Sequence, residues 1–514
     1  MAGSERVLVC GAGPTGMVVA INLLRAGIGV RIVDAAPKPS PLSKAAVVWR
    51  RTLEVLHDAV PATRFIEHGR CMQGIQLEAD GRILRKVEFA SESTVFPPGV
   101  LIPQADTERL LAEALADLGA EIQRGVRIDS FEEIDDGVRV RLEDGEASEV
   151  EEFDWLIGAD GAHSSVRHGL GIDFPGKALE RRWLLADLDF EECGPEDRIR
   201  MFVGKGGMAG LFPYGDGRWR MIADGGPIDL GSPRRDPDLE EVDRELRRRT
   251  DIRWKIESAP WLAEFRVNER QVVSYRHGRV LLAGDAAHVH SPAGGQGMNT
   301  SIQDGVNLAW KLALVVQGRA SETLMDTYDG ERHAVAAAVL RGSGRMLQVA
   351  MNRSRPMSAM KRWLLPAILG VGWIQREAVR RLSEIDLSYH GGPLGVGRGD
   401  RWIGHRCPDV PIGSSGVSVY ESLRSPGFTI FELGRPSEIE VDEREEVLSG
   451  TGFDLRRIRH IAGNGDIADE ARAFASALGV SRGTMVVVRP DTYLGPVTSK
   501  PDRIRSWFEN LRGH

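Results

Sequence analysis

Cysteine is scarce in this chain: Cys10, Cys71, Cys193 and Cys407 are scattered over 514 residues. No two have the spacing of a metal-ligand set or a C-x-x-C pair, so neither a disulfide framework nor a metal centre organises the fold, and a reducing cytoplasm is expected. Cys10, at the end of an apolar run, reads as core. An excess of positive charge is also missing; a net charge of −8 argues against a nucleic-acid surface. Long hydrophobic runs are absent too. The most apolar late stretch, Leu364 to Ile374, is eleven residues long, contains Pro366 and is flanked by Lys361, Arg362 and Arg376. It falls short of the roughly 20 residues that span a bilayer, and predicts a packed or interfacial helix without stable membrane insertion, peripheral membrane contact being the minor alternative. Met1 to Arg6 lead into an apolar strand with no basic, apolar leader, so cytoplasmic residence is expected. No internal repeat or low-complexity tract occurs, and at roughly 150 residues per domain the length suggests about three domains.

What the chain does contain is three separated glycine-rich turns, each following an apolar strand-like run. The first, Gly11-Ala12-Gly13-Pro14-Thr15-Gly16, lies between Val7–Val9 and a helical pattern from Met17 to Leu24. In that context Gly11 permits the tight turn, Gly13 lets the backbone approach a pyrophosphate, and Gly16 lets helix and strand pack closely. The phosphates would face the free N–H groups of the helix start. Asp34 ends the next strand, eighteen residues beyond Gly16; a carboxylate there suits a ribose with a free 2′-hydroxyl, hence FAD or NAD rather than NADP. The second turn, Gly158-Ala159-Asp160-Gly161, follows Phe153–Ile157 and precedes Arg167. The third, Gly284-Asp285, follows Val280–Ala283 and leads into Pro292-Ala293-Gly294-Gly295-Gln296-Gly297. Asp285 is placed to hold a polyol, since an ionised carboxylate only accepts hydrogen bonds. Beyond the loop, Ile302, Val306, Ala309, Leu312 and Val316 repeat at helical spacing. That helix would present the positive end of its dipole to an anionic ring edge.

These motifs, in this order and spacing, resemble the class A flavoprotein monooxygenases of the para-hydroxybenzoate hydroxylase fold, and most closely the longer branch of phenol hydroxylases and aromatic-polyketide hydroxylases. The likeness is strong over about 1–330 and weaker beyond. It implies an α/β fold: a Rossmann-like FAD-binding domain, a mixed-sheet substrate domain and a C-terminal thioredoxin-like domain without redox cysteines. It also implies FAD as cofactor, NAD(P)H as transient reductant, and hydroxylation of an aromatic small molecule with O2 through a flavin C4a-hydroperoxide, typically in secondary metabolism. The cofactor contacts it implies are Gly11, Gly13, Pro14, Thr15, Gly16, Asp34, Lys44, Arg51, Gln104, Asp160, Gly161, Arg167, Gly284, Asp285, Gly295, Gln296, Gly297, Met298 and Asn299. Pro292, Gly295 and Arg220 would lie at the reacting centre, although Arg220 reads equally as an exposed strand arginine. Arg51-Thr52-Leu53-Glu54 matches an early family signature. Two departures stand out: Lys44 replaces the usual arginine, a point charge instead of a planar fork, and Thr492-Tyr493 follows Arg489-Pro490-Asp491 where the family commonly continues with glycine and tyrosine. No redox cysteine pair follows Asp34 and no second fingerprint occurs, which excludes the flavin disulfide reductases and a separate, tightly bound nicotinamide domain.

The expected organisation places an FAD domain in 1–75, 100–172 and 275–330, with an antiparallel meander over 126–150. A substrate domain occupies 76–99 and 173–274, with strands near 183–190, 199–204, 207–213 and 218–224. Connecting helices fill 331–390, and the last domain fills 391–514. Phe202, Leu211, Phe212, Trp219 and Met221, with Met201 and Met208, are candidate walls of an apolar substrate pocket or equally ordinary core. The charged run Asp238–Thr250 reads as a solvated helix face. His288 and His290, with no acidic partner nearby in sequence, read as structural. Oxygen insertion beside a ketone, epoxidation, and binding of an intermediate without redox turnover stay open alongside hydroxylation, as does a state of monomer or homodimer.

Overall fold

The computed structural model describes residues 5–513 apart from 41–44, 90–94, 146, 205–206, 230, 251, 353, 355–359, 361–363, 396–399, 413–416, 424–425, 435–437, 454 and 461–465. Three principal sheets carry the architecture. The first has six strands, in the order 276–277, 280–282, 155–158, 7–10, 30–34 and 122–124, and is parallel but for the 276–277 edge. Its central strand Val7–Cys10 is buried throughout, because helix Pro14–Arg25 and helix Gly297–Val316 pack on each other and on the sheet. Strand ends Val33, Cys10, Gly158 and Leu282 are paired side by side, so all three glycine turns leave the same edge of one sheet. The meander is a three-stranded sheet of Val126–Ile134, Gly137–Asp144 and Ala147–Phe153.

The second large sheet is mixed and eight-stranded, in the order 288–289, 256–271, 176–190, 218–227, 207–215, 198–204, 74–79 and 82–88. The strand Ile256–Gln271 was not anticipated; its alternation of charged and apolar residues is that of a half-covered strand. Helix Leu239–Arg249 covers one face, N-capped by Asp238, whose carboxylate accepts from Glu241 N. The solvated-face reading of this helix holds for Arg247 and Arg248 but not for Arg249, which is buried and paired with Glu245. The packed or interfacial helix expected at 364–374 is interrupted: short helix Leu365–Ile368 and helix Gly372–Leu382 flank a turn at Gly370 and Val371, and the exposure of Leu364, Ile368, Val371 and Trp373 excludes the packed form. Two glycines within three residues are poor helix formers.

The third sheet follows the thioredoxin-like order 455–460, 428–433, 484–488, 494–498, with the first pair parallel and the rest antiparallel. Buried ion pairs lock it to the helices. Arg489 donates to both Glu331 oxygens at 2.8 Å and to Asp491, and Lys311 donates to Glu331 at 2.8 Å. Burial drives the Lys311 ammonium down to about 8. No helix among the described residues is long and apolar enough to cross a membrane.

Candidate active site

The three glycine turns touch one another. Gly11 has φ +102°, and a Cβ there would overlap the Ala159 carbonyl of the second turn; at Gly16 a Cβ would overlap the Gly11 carbonyl. At Gly284 (φ +61°) a Cβ would come within 2.6 Å of Thr15 Oγ1, so the third turn rests on the first. Gly13 differs from all of these: it is extended, and no atom lies within 4 Å of where its Cβ would be. Its missing side chain leaves open space at the N-terminus of Pro14–Arg25, an end with no side-chain cap. That is the cradle a pyrophosphate requires.

Carboxylates brace these turns. Asp34 accepts from Ala12 N at 2.7 Å and from Ala36 N at 2.8 Å, which fixes the glycine loop against the second strand. Asp160 Oδ2 accepts from Ser165 N and Val166 N, and the Cys10 thiol lies within hydrogen-bonding reach of the same carboxylate. Arg167 is buried and donates to Ala286 O and Ala162 O at 2.9 Å each, with Phe174 under its guanidinium; it ties the second turn to the third. Asp285 is exposed on the short turn Gly284–Ala286. The Asp160 carboxylate offers acceptors to a polyol, and the open cradle with the two uncapped helix ends offers N–H donors to phosphates, so the residues fit FAD.

The loop Pro292–Gln296 ends at helix Gly297–Val316, whose first turn also lacks a side-chain cap. Asn299 is fully buried; its amide donates to Val47 O and Gly295 O, and its carbonyl accepts from Trp49 N, so it stitches the loop to strand Val47–Trp49. Trp49 Nε1 donates to Gly294 O at 2.9 Å. Gln296 donates to Arg381 O, and Met298 packs on the core. The Asn299 side chain thus positions the loop, and the Gln296 amide ties it to the end of helix Gly372–Leu382.

Other expectations move as well. Arg51 is buried and bound into the C-terminal segment: it donates to Glu54, Tyr420 Oη, Thr492 Oγ1 and Asp491 O, and lies over the Tyr493 ring. Lys44 lies outside the described residues. Arg220 is not an exposed strand arginine; it is clasped by Asp187 at 2.7 and 2.8 Å and donates to Ala45 O at 2.9 Å. Gln104 accepts from Ala45 N at 3.3 Å, so one backbone unit is held from both sides. His288 does have an acid, sixteen residues on in the facing helix. It donates from Nε2 to Asp304 Oδ2 at 2.6 Å, and Arg332 donates to the other oxygen. Burial raises the Asp304 carboxyl, yet Arg332 and His288 outweigh it and hold the group below its ordinary range. His290 donates from Nδ1 to Ser291 O, and burial beside His288 drives its imidazole down to about 4.

A cavity of about 180 Å³ abuts the Pro292–Gly295 loop. Of the candidate walls, Met201, Met208 and Phe212 line it. Phe202, Leu211, Trp219 and Met221 do not: they project from the opposite face of the sheet into the core beneath Val242 and Leu246. Successive strand residues alternate faces, so each of these is one position out of phase with the cavity. Sequence reasoning missed Trp183, Ile199 and Ile222 on the correct phase, and Leu347 and Leu382 from helices. None of the described residues lining the cavity is charged, and Met346, 42% exposed, marks its mouth.

A glycine-turn cleft whose third turn runs straight into the wall of an apolar cavity is the layout of an enzyme that holds a dinucleotide beside an apolar compound. The chain belongs to the FAD binding domain family, which matches residues 4–343. It is a flavin-dependent monooxygenase of the aromatic hydroxylase class, with FAD as cofactor and NAD(P)H as the family's reductant. It is 33% identical to 6-methylpretetramide 4-monooxygenase of Streptomyces rimosus over 96% of this chain and 90% of the relative. Among solved structures, OxyS anhydrotetracycline hydroxylase from Streptomyces rimosus superposes with a TM-score of 0.76 at 28% identity, covering 99% of each chain. The Diels-Alderase PyrE3 of pyrroindomycin biosynthesis superposes equally, at 0.76 and 26% identity, covering 99% of this chain and 100% of that one.

Proposed function

We propose that the protein hydroxylates a polycyclic, polyketide-like aromatic compound, consuming NAD(P)H and O2. The observation that carries this reading is the uncharged cavity walled by Pro292–Gly295, at the start of the helix that completes the cofactor cleft. When bound, FAD supplies electron transfer to O2 and the activated oxygen that is delivered to the ring. The chain's own residues hold and shield. Gly11, Gly13 and the start of Pro14–Arg25 would hold the pyrophosphate, Asp34 the adenosine ribose, and Asp160 and Asp285 the polyol chain. Arg220, fixed by Asp187, anchors the segment at Ala45. The cavity wall excludes water from the reacting face, and with no charged group among the described residues that line it, a neutral ring is the species received. The fold divides, in this reading, into the FAD, substrate and thioredoxin-like domains expected from sequence. Its free cysteines support a cytoplasmic setting, as monomer or homodimer.

The test is NAD(P)H oxidation by FAD-loaded protein against a panel of simple phenols and fused-ring phenols, with product mass determined. Stimulated oxidation with a product heavier by one oxygen atom supports the proposal; full FAD loading with no stimulation by any ligand overturns it. A second reading, cycloaddition without redox turnover, is favoured by the fold and coverage shared with the Diels-Alderase. Its signature is ligand conversion at constant mass with no NAD(P)H consumed.

A further inference from the structure

Single exposed apolar side chains are ordinary on a protein surface, whereas clusters of them mark contact sites. Four of the large apolar side chains exposed on this chain, Leu364, Ile368, Val371 and Trp373, fall within ten residues, and Trp373 is 65% exposed. Helix Gly372–Leu382 has no buried residue. One side of it rests on the eight-stranded sheet: Gln375 donates to Glu88 O at 2.8 Å, and Val379 and Leu382 pack on the cluster around Val87 and Phe89. On the other side Trp373, Arg376 and Arg380 follow the three- and four-residue spacing of one helix face.

The uncompensated charge beside these residues is positive. Arg376 and Arg380 are exposed and form no ion pair among the described residues. The nearby carboxylates are already engaged: Arg381 holds Glu377 at 3.0 Å and lies 3.9 Å from Asp386, and Arg198 holds Glu88 at 2.8 Å. A Cβ at Gly370 would lie 3.3 Å from the Arg85 guanidinium, so the turn sits against strand Arg82–Glu88. That strand brings exposed Arg82, Ile83 and Lys86 to the same neighbourhood. On a chain of net charge −8 this is a local reversal of sign.

A second copy docking here by two-fold symmetry would set Arg376 and Arg380 against their own counterparts, a like-charge contact that costs affinity. Aliphatic and indole side chains flanked by arginines suit a bilayer boundary instead. The indole lies at the headgroups, the aliphatic chains enter below them, and the guanidinium groups meet anionic phosphates. We propose that the surface formed by Leu364, Ile368, Val371, Trp373, Arg376 and Arg380 docks the protein reversibly on an anionic lipid bilayer. Leu382, at the other end of the same helix, lines the cavity, roughly 13 Å along the axis from Trp373. Docking therefore brings the cavity wall to the lipid boundary, where apolar ring compounds concentrate.

The test is cosedimentation of FAD-loaded protein with vesicles of phosphatidylcholine alone and of phosphatidylcholine with about one third phosphatidylglycerol, at low and high salt. The wild type binds the anionic vesicles about tenfold or more tightly than the neutral ones, and high salt removes the preference. Arg376→Gln combined with Arg380→Gln weakens binding to anionic vesicles by about fivefold for each charge, and Trp373→Ser weakens it about tenfold. These side chains are exposed, so FAD content and melting temperature stay at the wild-type level. Absence of wild-type binding to anionic vesicles overturns the proposal, as does equal binding to both lipids or binding that both variants retain in full. A dimer in light scattering that W373S dissolves, with vesicles left unbound, also overturns it and assigns the face to a second copy. Should either variant misfold, lipid brominated in its acyl chains decides with the wild type alone: quenched indole fluorescence on anionic vesicles supports docking, and unquenched fluorescence overturns it. None of these readouts involves NAD(P)H oxidation, so failure of the hydroxylation reading leaves them intact.

Discussion

Thr492 shows how one residue can carry both a cost and its compensation. Its φ of +63° is left-handed, a region that a β-branched residue enters at about 1–2 kcal/mol. The family's usual glycine would avoid that. Here the hydroxyl accepts from Arg51 Nη1 at 2.9 Å, and Arg51, wholly buried, needs every acceptor it has. Thr492→Ala keeps the strain and loses the acceptor; Thr492→Gly loses the acceptor but relieves the strain. Chemical denaturation is expected to rank wild type above T492G and T492G above T492A, the last two about 1 kcal/mol apart. A T492A protein as stable as T492G would refute the strain account. The departure was visible in the sequence, but its reason was not, because Arg51 lies 441 residues away. The same limit hid the Asp187 partner of Arg220 and the Asp304 partner of His288: sequence names chemical types, while pairing across elements is set by the fold.

At the scale of elements, the glycine turns were legible because each needs a rare backbone state at a strand end, and that requirement leaves glycine behind. Faces of the eight-stranded sheet were not legible. Its middle strands are covered on both sides, so Met201 and Phe202, or Leu211 and Phe212, are both apolar and period-two alternation carries no information. The cradle at Gly13 makes a sharper claim. Because nothing lies near its Cβ direction, Gly13→Ala is expected to leave the thermal stability of the apoprotein unchanged while weakening FAD binding by about tenfold or more. Gly11→Ala, which overlaps the Ala159 carbonyl, is expected to lower apoprotein stability as well. Melting curves of both apoproteins with flavin titrations check the contrast. A G13A variant that binds FAD as the wild type does removes the cradle from the argument.

Across the whole molecule, the connection between helices is titratable. Glu384, left-handed at φ +60° and buried, accepts from Thr300 Oγ1 at 2.9 Å and Gln303 Nε2 at 2.6 Å, and so fastens the end of helix Gly372–Leu382 to the first turns of Gly297–Val316. Burial raises its carboxyl from 4.5 to about 7, opposed by the Thr300 hydrogen bond and by Arg332. The folded chain therefore keeps a proton that the unfolded chain releases from about 4.5 upward. Stability from this group is intact below 4.5 and declines as pH rises to about 7, by about 1.4 kcal/mol per pH unit at most. Glu384→Gln is expected to flatten the stability profile between pH 5 and pH 7, about the window of that titration, as urea denaturation at stepped pH will report. Parallel profiles for variant and wild type contradict it.

The stitch made by Asn299 joins the cavity wall at Gly295 and the strand at Val47 to the opening turn of the long helix. A guest pressing on that wall leans on the same backbone that would border a bound flavin if the cleft holds it as proposed. Occupancy should thus be visible as colour: a shift in the yellow absorption band on adding a ligand that fits, before any chemistry occurs.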